Sequence, residues 1–335
     1  MSKTSSVKLA VVGCGAWGKN IVRNFHELGC LAAISDLYHD TAVELSTKYN
    51  VHNYTFDQIL SDPEINAVAI VTPAETHYSM AQKALEAGKH IYVEKPLTMD
   101  TKQAEDLVQL AASKNKIIMT GHLLQYHPAF IQLKKMVENK ELGNLRYIYS
   151  NRLSLGRVRS EENCLWDLAP HDFSMILSLI NEEPMSIRCE DIASQEKGIL
   201  DTVTTFLTFP SGAKTQVFVS WIHPFKEQKL VVIGDKGMAV FDDLQDWDNK
   251  LVFYSHYIEW AEKANQANIV KATPTPVAIQ KDEPLRLECQ HFIDCIIQNK
   301  APRTDGAEAI RVVRALQHAQ ESIKSNTLEK QSKVI

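Results

Sequence analysis

Gly13, Gly15 and Gly18 stand in the order G-x-G-x-x-G at the end of a short apolar run. Glycines at that spacing let a chain turn tightly, clear room for a pyrophosphate and pack a helix closely on a strand. A helix beginning just beyond them offers backbone N–H groups and a positive dipole end to the anion. Asp36 closes a second apolar run about 20 positions further on, where a carboxylate accepts hydrogen bonds from ribose hydroxyls and repels a 2′-phosphate. That pairing favours NAD over NADP; the plainer reading of Asp36 is a turn residue. Lys95 lies between Glu94 and Pro96 at the end of another apolar run, and position alone leaves two roles open. It either pairs with Glu94 at the surface or reaches a substrate oxygen beside the nicotinamide. Asp167 and His171 sit four apart, on one side of a helix start. Pro170 suits a first helical turn, so His171 is expected near a helix N-terminus, where the dipole disfavours imidazolium. A neutral imidazole can take a hydroxyl proton while hydride leaves the same carbon. As an isolated pair, Asp167 and His171 read more simply as a cap and a structural histidine.

The elements that must position these groups are readable. Apolar runs at Leu9–Val12, Leu31–Ser35, Ala67–Val71, His90–Val93 and Ile117–Thr120 alternate with helical patterns at Lys19–Leu28, Asp40–Tyr49, His77–Ala87 and Lys102–Lys114. A further short strand is expected near Asn53–Tyr54. Runs without polar alternation imply strands buried on both faces, hence a parallel sheet covered by helices. Ligands in such sheets lie beyond the carboxyl ends of the strands, which puts Thr72–Pro73 and Glu94–Lys95–Pro96 beside the cofactor. After a helix at Ala129–Glu138 the pattern changes. Strand-like stretches at Leu145–Leu153, Met185–Ile192, Thr202–Phe209, Lys214–Trp221, Lys229–Ile233, Met238–Phe241 and Leu251–Tyr257 are mostly joined by short turns, which predicts antiparallel neighbours. Residues 265–284 are expected to form an extended arm, followed by helices at Leu285–Asn299 and Asp305–Ser325. The fold class is therefore α/β. An N-terminal Rossmann domain with a doubly wound parallel sheet (residues 1–121) is joined to a C-terminal α+β domain (residues 122–335) with a large, mostly antiparallel open sheet.

Composition sets the class. With 335 residues, 44% hydrophobic and 23% charged, the chain has room for two cores. A net charge of −5 gives no electrostatic case for nucleic acid or an anionic membrane surface, and no apolar stretch reaches the length of a membrane span. The short polar start lacks an apolar signal core, and the six scattered cysteines suggest neither disulfides nor zinc, so a cytoplasmic protein is expected. His122, His127 and His171 lack ligand spacing, and no metal is expected.

Pro73 to His77, Ala84-Leu85-Glu86-Ala87-Gly88-Lys89-His90 and Val93-Glu94-Lys95-Pro96-Leu97 together resemble the signature of the Gfo/Idh/MocA oxidoreductases. The resemblance implies a Rossmann domain joined to an open-sheet domain, and NAD(P)-dependent oxidation or reduction of sugars and cyclitols. It makes Lys95 the active-site lysine and gives Asp167 and His171 the family's aspartate-x-x-x-histidine pattern. The implied cofactor contacts are Gly13, Gly15, Ala16, Trp17, Gly18, Asp36, Thr72, Pro73, His77, Glu94 and Lys95. The implied substrate contacts are Tyr126, His127, Arg152, Arg159 and Asn163, with packing or solvent exposure as the plainer reading for Tyr126, His127 and the arginines. How the proton duty divides between Lys95 and His171 stays open. Sheet faces of this kind often form subunit interfaces, so a homodimer or homotetramer is expected.

The stretches 151–156, 163–172, 284–292 and 302–306 are similar to one branch of that family, the sugar-nucleotide 3-dehydrogenases. These act on UDP-N-acetylglucosamine or its uronate before a 3-amino group is installed, in amino-sugar, polysaccharide or lipid A synthesis. Free-sugar or inositol oxidation is the alternative among enzymes. A sugar- or cofactor-sensing regulator of the same fold is the alternative outside them, against which the presence of Lys95, Asp167 and His171 argues.

Overall fold

Apolar runs too short to alternate become strands buried on both faces: β1 (Leu9–Val12), β4 (Ala67–Ile70) and β6 (Ile118–Gly121) are buried at every residue. With β2 (Leu31–Ser35), β3 (His52–Asn53) and β5 (His90–Glu94) they form a six-stranded sheet, all parallel, in the order β3-β2-β1-β4-β5-β6. This is the dinucleotide-binding order, whose chain reverses direction across the sheet beside β1 and β4. The helices α1 (Gly18–Glu27), α2 (His39–Tyr49), α3 (Phe56–Ser61), α4 (Ala74–Glu86) and α5 (Thr101–Ser113) make the crossovers. The computed structural model describes residues 7–156, 162–194, 199–260 and 267–332.

The chain divides into two compact units, Met1–Tyr126 with Glu283–Arg314, and His127–Asp282 with Ala315–Ile335. The tail, read from sequence as part of the second domain, is thus shared between them. The reason is apolar burial. Helix α8 (Pro284–Gln298) sends Leu285, Cys289, Phe292 and Ile293 into the core that holds Phe25 and Tyr92. Phe25, Tyr92 and Phe292 meet edge to face with ring centroids 5.9–6.5 Å apart, a geometry that adds about 1 kcal/mol per pair beyond burial.

The second unit is built on an eight-stranded sheet in the order β16-β13-β12-β11-β7-β10-β9-β8. Its strands are β7 (Leu145–Leu155), β8 (Ser186–Ser194), β9 (Leu200–Thr208), β10 (Lys214–Ser220), β11 (Ile222–Gly234), β12 (Met238–Asp242), β13 (Leu251–Tyr254) and β16 (Thr275–Pro276). Most neighbours are antiparallel, as the short turns predict, but β7 and β10 pair in parallel. The chain leaves β7 through helix α7 (Cys164–Ile180) and returns along the β8-β9-β10 meander, which brings β10 back beside β7 in the same direction. The stretch read as one strand at Leu251–Tyr257 is two, β13 and β14 (Tyr257–Trp260). β14 makes a separate ribbon with β15 (Ala267–Val270), so part of the expected arm is paired. Helix α6 (Pro128–Glu138) precedes β7, and helix α9 (Gly306–Ser332) closes the chain.

Candidate active site

In the first unit the glycine turn has the geometry its spacing predicts. Gly13 has φ +92°, and a Cβ there would lie 2.5 Å from the Val71 carbonyl oxygen. A side chain at Gly18 would collide with the Gly13 carbonyl, so this glycine lets α1 pack against the turn. Around Gly15 the space is open, with nothing within 4 Å of a Cβ built there. Helix α1 starts with no side-chain cap and no acidic residue in its first turn. An uncapped N-terminus beside an open glycine is what a diphosphate requires. Gly15, Ala16 and Trp17 are all exposed at this turn.

Asp36 follows β2 and its two oxygens accept backbone N–H groups, Cys14 at 2.5 Å and Tyr38 at 2.8 Å. The carboxylate is thereby held at the turn's flank, where a ribose would present its hydroxyls. Thr72 and Pro73 follow β4, and Lys95 follows β5 half-buried, joined to Pro96 by a cis peptide bond.

His77 and Glu94, both expected at the cofactor, are buried beside the strand ends. His77 is 1% exposed, with Nδ1 2.7 Å from the Pro96 carbonyl and Nε2 2.8 Å from the Thr72 carbonyl. It ties together the two strand ends that carry Thr72 and Lys95. Burial lowers its pKa, and the Lys95 charge adds to this against the pull of the two carbonyls. Glu94 is buried too. Its Oε1 accepts from the Trp17 indole N–H at 2.7 Å and the Tyr92 hydroxyl at 3.0 Å, and its Oε2 from the Lys95 N–H at 3.2 Å. Burial pushes its pKa up, opposed by those donors and by the Lys95 charge.

In the second unit the helix carrying Asp167 and His171 begins earlier than the sequence reading placed it. Asn163 caps α7 by accepting the Trp166 N–H, and Pro170 lies inside the helix. His171 is therefore about two turns into α7, beyond the first turn where the dipole acts, and the expected dipole effect does not apply. The helix is fixed to the sheet by Asp172, which is fully buried. It accepts from Arg152 Nε at 2.9 Å and Nη2 at 3.1 Å, and from Ser150 Oγ at 2.6 Å. Asp167 takes a hydrogen bond from Trp221 Nε1 at 2.9 Å. His171 follows Pro170 in the same turn and is half-buried.

The residues expected on the substrate make the following internal contacts, wherever they are described. Tyr126 is 2% exposed, its hydroxyl 3.1 Å from Thr304 Oγ1. His127 caps α6 by accepting the Ala129 N–H, with Nε2 3.4 Å from Asp243 and the ring stacked on Trp247. Arg152 is the partner of Asp172, and Asn163 both caps α7 and donates to Gln320. Arg159, with Arg157, lies outside the described residues. Asp172, Ser150 and Trp221 were missed. The available signal was Asp172 itself, an aspartate immediately before the apolar run Phe173 to Leu179, where a charge needs a buried partner.

All six cysteines are free and buried; burial pushes the Cys14 thiol up to about 12, and that of Cys164 higher still. No thiol is therefore primed as a nucleophile. Among the described residues no group of three His, Cys, Asp or Glu side chains could hold a metal ion, and no helix is long and apolar enough to cross a membrane.

Two family models match this chain: the oxidoreductase family with NAD-binding Rossmann fold over residues 7–122, and the GFO/IDH/MocA C-terminal domain over residues 130–240. The chain belongs to the Gfo/Idh/MocA family of oxidoreductases. It is an NAD-binding dehydrogenase. UDP-N-acetylglucosamine 3-dehydrogenase of Acidithiobacillus ferrooxidans is 26% identical over 311 residues, covering 92% of this chain and 95% of that protein. A solved structure of that enzyme superposes with a TM-score of 0.83 at 24% identity, covering 95% of this chain and 97% of the other, which shows the shared fold. The scyllo-inositol 2-dehydrogenase (NAD(+)) of Bacillus subtilis is 26% identical over 313 residues, 88% of each chain.

Proposed function

We propose that this dehydrogenase oxidises the C3 hydroxyl of a UDP-N-acetylated sugar, supplying the 3-keto sugar on which a 3-amino group is installed. The observation that carries this reading is the similarity to UDP-N-acetylglucosamine 3-dehydrogenase, which extends over 95% of that protein's length. A second reading, oxidation of an inositol, is favoured by an equal identity over a slightly smaller share of the chain.

NAD⁺ supplies the hydride acceptor. The open glycine at position 15 and the uncapped start of α1 receive its diphosphate, and Asp36 receives a ribose and disfavours a 2′-phosphate there. Lys95 hydrogen-bonds the substrate oxygen and stabilises negative charge as the O–H proton leaves. His171 accepts that proton as general base. Asp167, its carboxylate held by the Trp221 indole, orients substrate.

Lys95→Ala and His171→Ala test the assignment. Loss of NADH formation with NAD⁺ binding retained supports it, and near-normal turnover in both variants refutes it. The substrate is tested by NADH formation from UDP-N-acetylglucosamine against myo-inositol.

A further inference from the structure

The core of the first unit contains a proton-counting problem. Tyr92 and Glu94 lie two apart on β5 and so share a face. The Tyr92 hydroxyl is 3.0 Å from Glu94 Oε1 and also 3.0 Å from Glu288 Oε2, on α8. A phenol has one proton to donate, so it serves only one of these oxygens. The other must itself donate to the phenol oxygen, or an anion would face a lone pair in a site without solvent.

The remaining contacts decide which carboxyl carries the proton. Glu94 accepts from three donors, the Trp17 indole, the Tyr92 hydroxyl and the Lys95 N–H, which is the environment of a carboxylate. Glu288 is 0% exposed, and among the described residues its Oε1 has no hydrogen-bond partner. The titratable groups facing it are Glu94 and Tyr92 from β5, Glu308 from α9, Tyr126, and its own neighbour Cys289. Arg303, which lies against the Tyr126 ring, donates to the Gln125 carbonyl.

We propose that Glu288 is a neutral carboxylic acid in the working protein, that it donates through Tyr92 to the Glu94 carboxylate, and that this relay positions Trp17 and Lys95 at the cofactor site. Its direction is fixed: Glu288 Oε2–H to Tyr92 Oη, Tyr92 O–H to Glu94 Oε1, and Trp17 N–H to the same oxygen from the glycine turn. A chain of this kind ties the buried face of α8 to two residues that border the cofactor. Burial, then the negative charge of Glu94, pushes the Glu288 pKa well up, in the same sense as the geometry. Glu288 and Tyr92 are positioning residues, since they act only through Glu94. The role given to Lys95 rests on the function proposed above; the protonation of Glu288 does not.

Infrared spectroscopy of the intact protein near pH 8 tests the protonation. The wild type should show the carbonyl stretch of a protonated carboxylic acid, shifted in D₂O, that disappears in Glu288→Gln and persists in Glu94→Gln. Absence of that band from the wild type, or its loss in Glu94→Gln rather than Glu288→Gln, overturns the assignment. Positioning is tested by NAD⁺ titration. Tyr92→Phe keeps the ring and cuts the relay, and should weaken NAD⁺ binding about tenfold, whereas Glu288→Gln, whose amide can still donate to Tyr92, should lose no more than about threefold. Unchanged NAD⁺ affinity in Tyr92→Phe overturns the positioning role. Both readouts are independent of which sugar is oxidised, so a wrong substrate leaves them standing.

Discussion

Trp17 donates its indole N–H to Glu94 across 2.7 Å, and Glu94 is the residue immediately before Lys95. The exposed glycine turn and the strand end that presents the lysine are therefore joined by a side-chain bond as well as by the sheet. His77 makes the corresponding link between the ends of β4 and β5 through the Thr72 and Pro96 carbonyls. Three loops at the carboxyl edge of one parallel sheet are thus fixed to one another before any ligand is bound, which is the preorganisation a dinucleotide site needs.

The glycine turn predicts a contrast between two single-methyl changes. Gly13→Ala places a side chain at φ +92° and 2.5 Å from the Val71 carbonyl oxygen, so it should cost about 1–3 kcal/mol of stability as well as NAD⁺ affinity. Gly15→Ala meets nothing within 4 Å and should melt like the wild type while binding NAD⁺ more weakly. Thermal melts paired with NAD⁺ titrations check this; equal melting of Gly13→Ala and wild type would contradict it.

Asp36 should set the choice of dinucleotide. Asp36→Ser removes the anion that a 2′-phosphate would meet and the acceptor that a ribose uses. The KM for NAD⁺ should rise about tenfold, as expected for losing a charge-assisted bond, while that for NADP⁺ changes little or falls. An NAD⁺/NADP⁺ preference left intact would show that another residue makes the choice.

Arg152 and Asp172 anchor α7 to β7 as a buried pair. Removing one partner leaves the other charged and buried, so Asp172→Asn should destabilise the protein by about 3–5 kcal/mol. Replacing both, Arg152→Met with Asp172→Leu, should recover part of that loss. Urea denaturation midpoints measure it, and single variants within about 0.5 kcal/mol of wild type would dismiss the anchor.

His90 gives a pH signature. Burial, with Lys116 adding to it, pushes the folded-state pKa down from 6.5 to about 4, and Nδ1 accepts the Ile117 N–H. Between those values the unfolded ring binds a proton that the folded ring does not, so acid favours unfolding. The contribution is complete above pH 6.5, is lost as pH falls, and levels off below about 4. His90→Asn, which keeps an acceptor for Ile117, should lose less melting temperature than wild type between pH 7 and pH 5. Parallel profiles for the two proteins would rule His90 out as the source.

Much of the cofactor side was legible in the sequence because it depends on local rules. Glycine spacing, unbroken apolar strands and a carboxylate closing the second strand each act within about 20 residues. The rest depended on partners far along the chain. Pro170 reads as a helix start by its own preference, yet α7 continues through it because twelve of its other sixteen residues are buried in packing that offsets one lost backbone bond. The caps that Asn163 and His127 supply were not legible because a cap and a ligand contact draw on the same polar side chains. The role of Arg152 as a partner of Asp172 was not legible because the two are twenty residues apart on different elements. Glu288 drew no notice, since a glutamate on an amphipathic helix ordinarily faces water, whereas α8 turns this one toward Tyr92.

NADH formation with purified protein is the measurement that bears most directly on the function, using UDP-N-acetylglucosamine, UDP-N-acetylglucosaminuronate, glucose and myo-inositol as substrates. A nucleotide-sugar-specific aminotransferase would draw off the ketone, so that an unfavourable equilibrium does not hide turnover. Turnover of a UDP-sugar alone, abolished in Lys95→Ala, is the result expected of a sugar-nucleotide 3-dehydrogenase. Turnover of inositol or glucose with both nucleotide sugars inert would contradict that substrate, and inertness toward all four with NAD⁺ still bound would contradict the proposed oxidation of a sugar nucleotide.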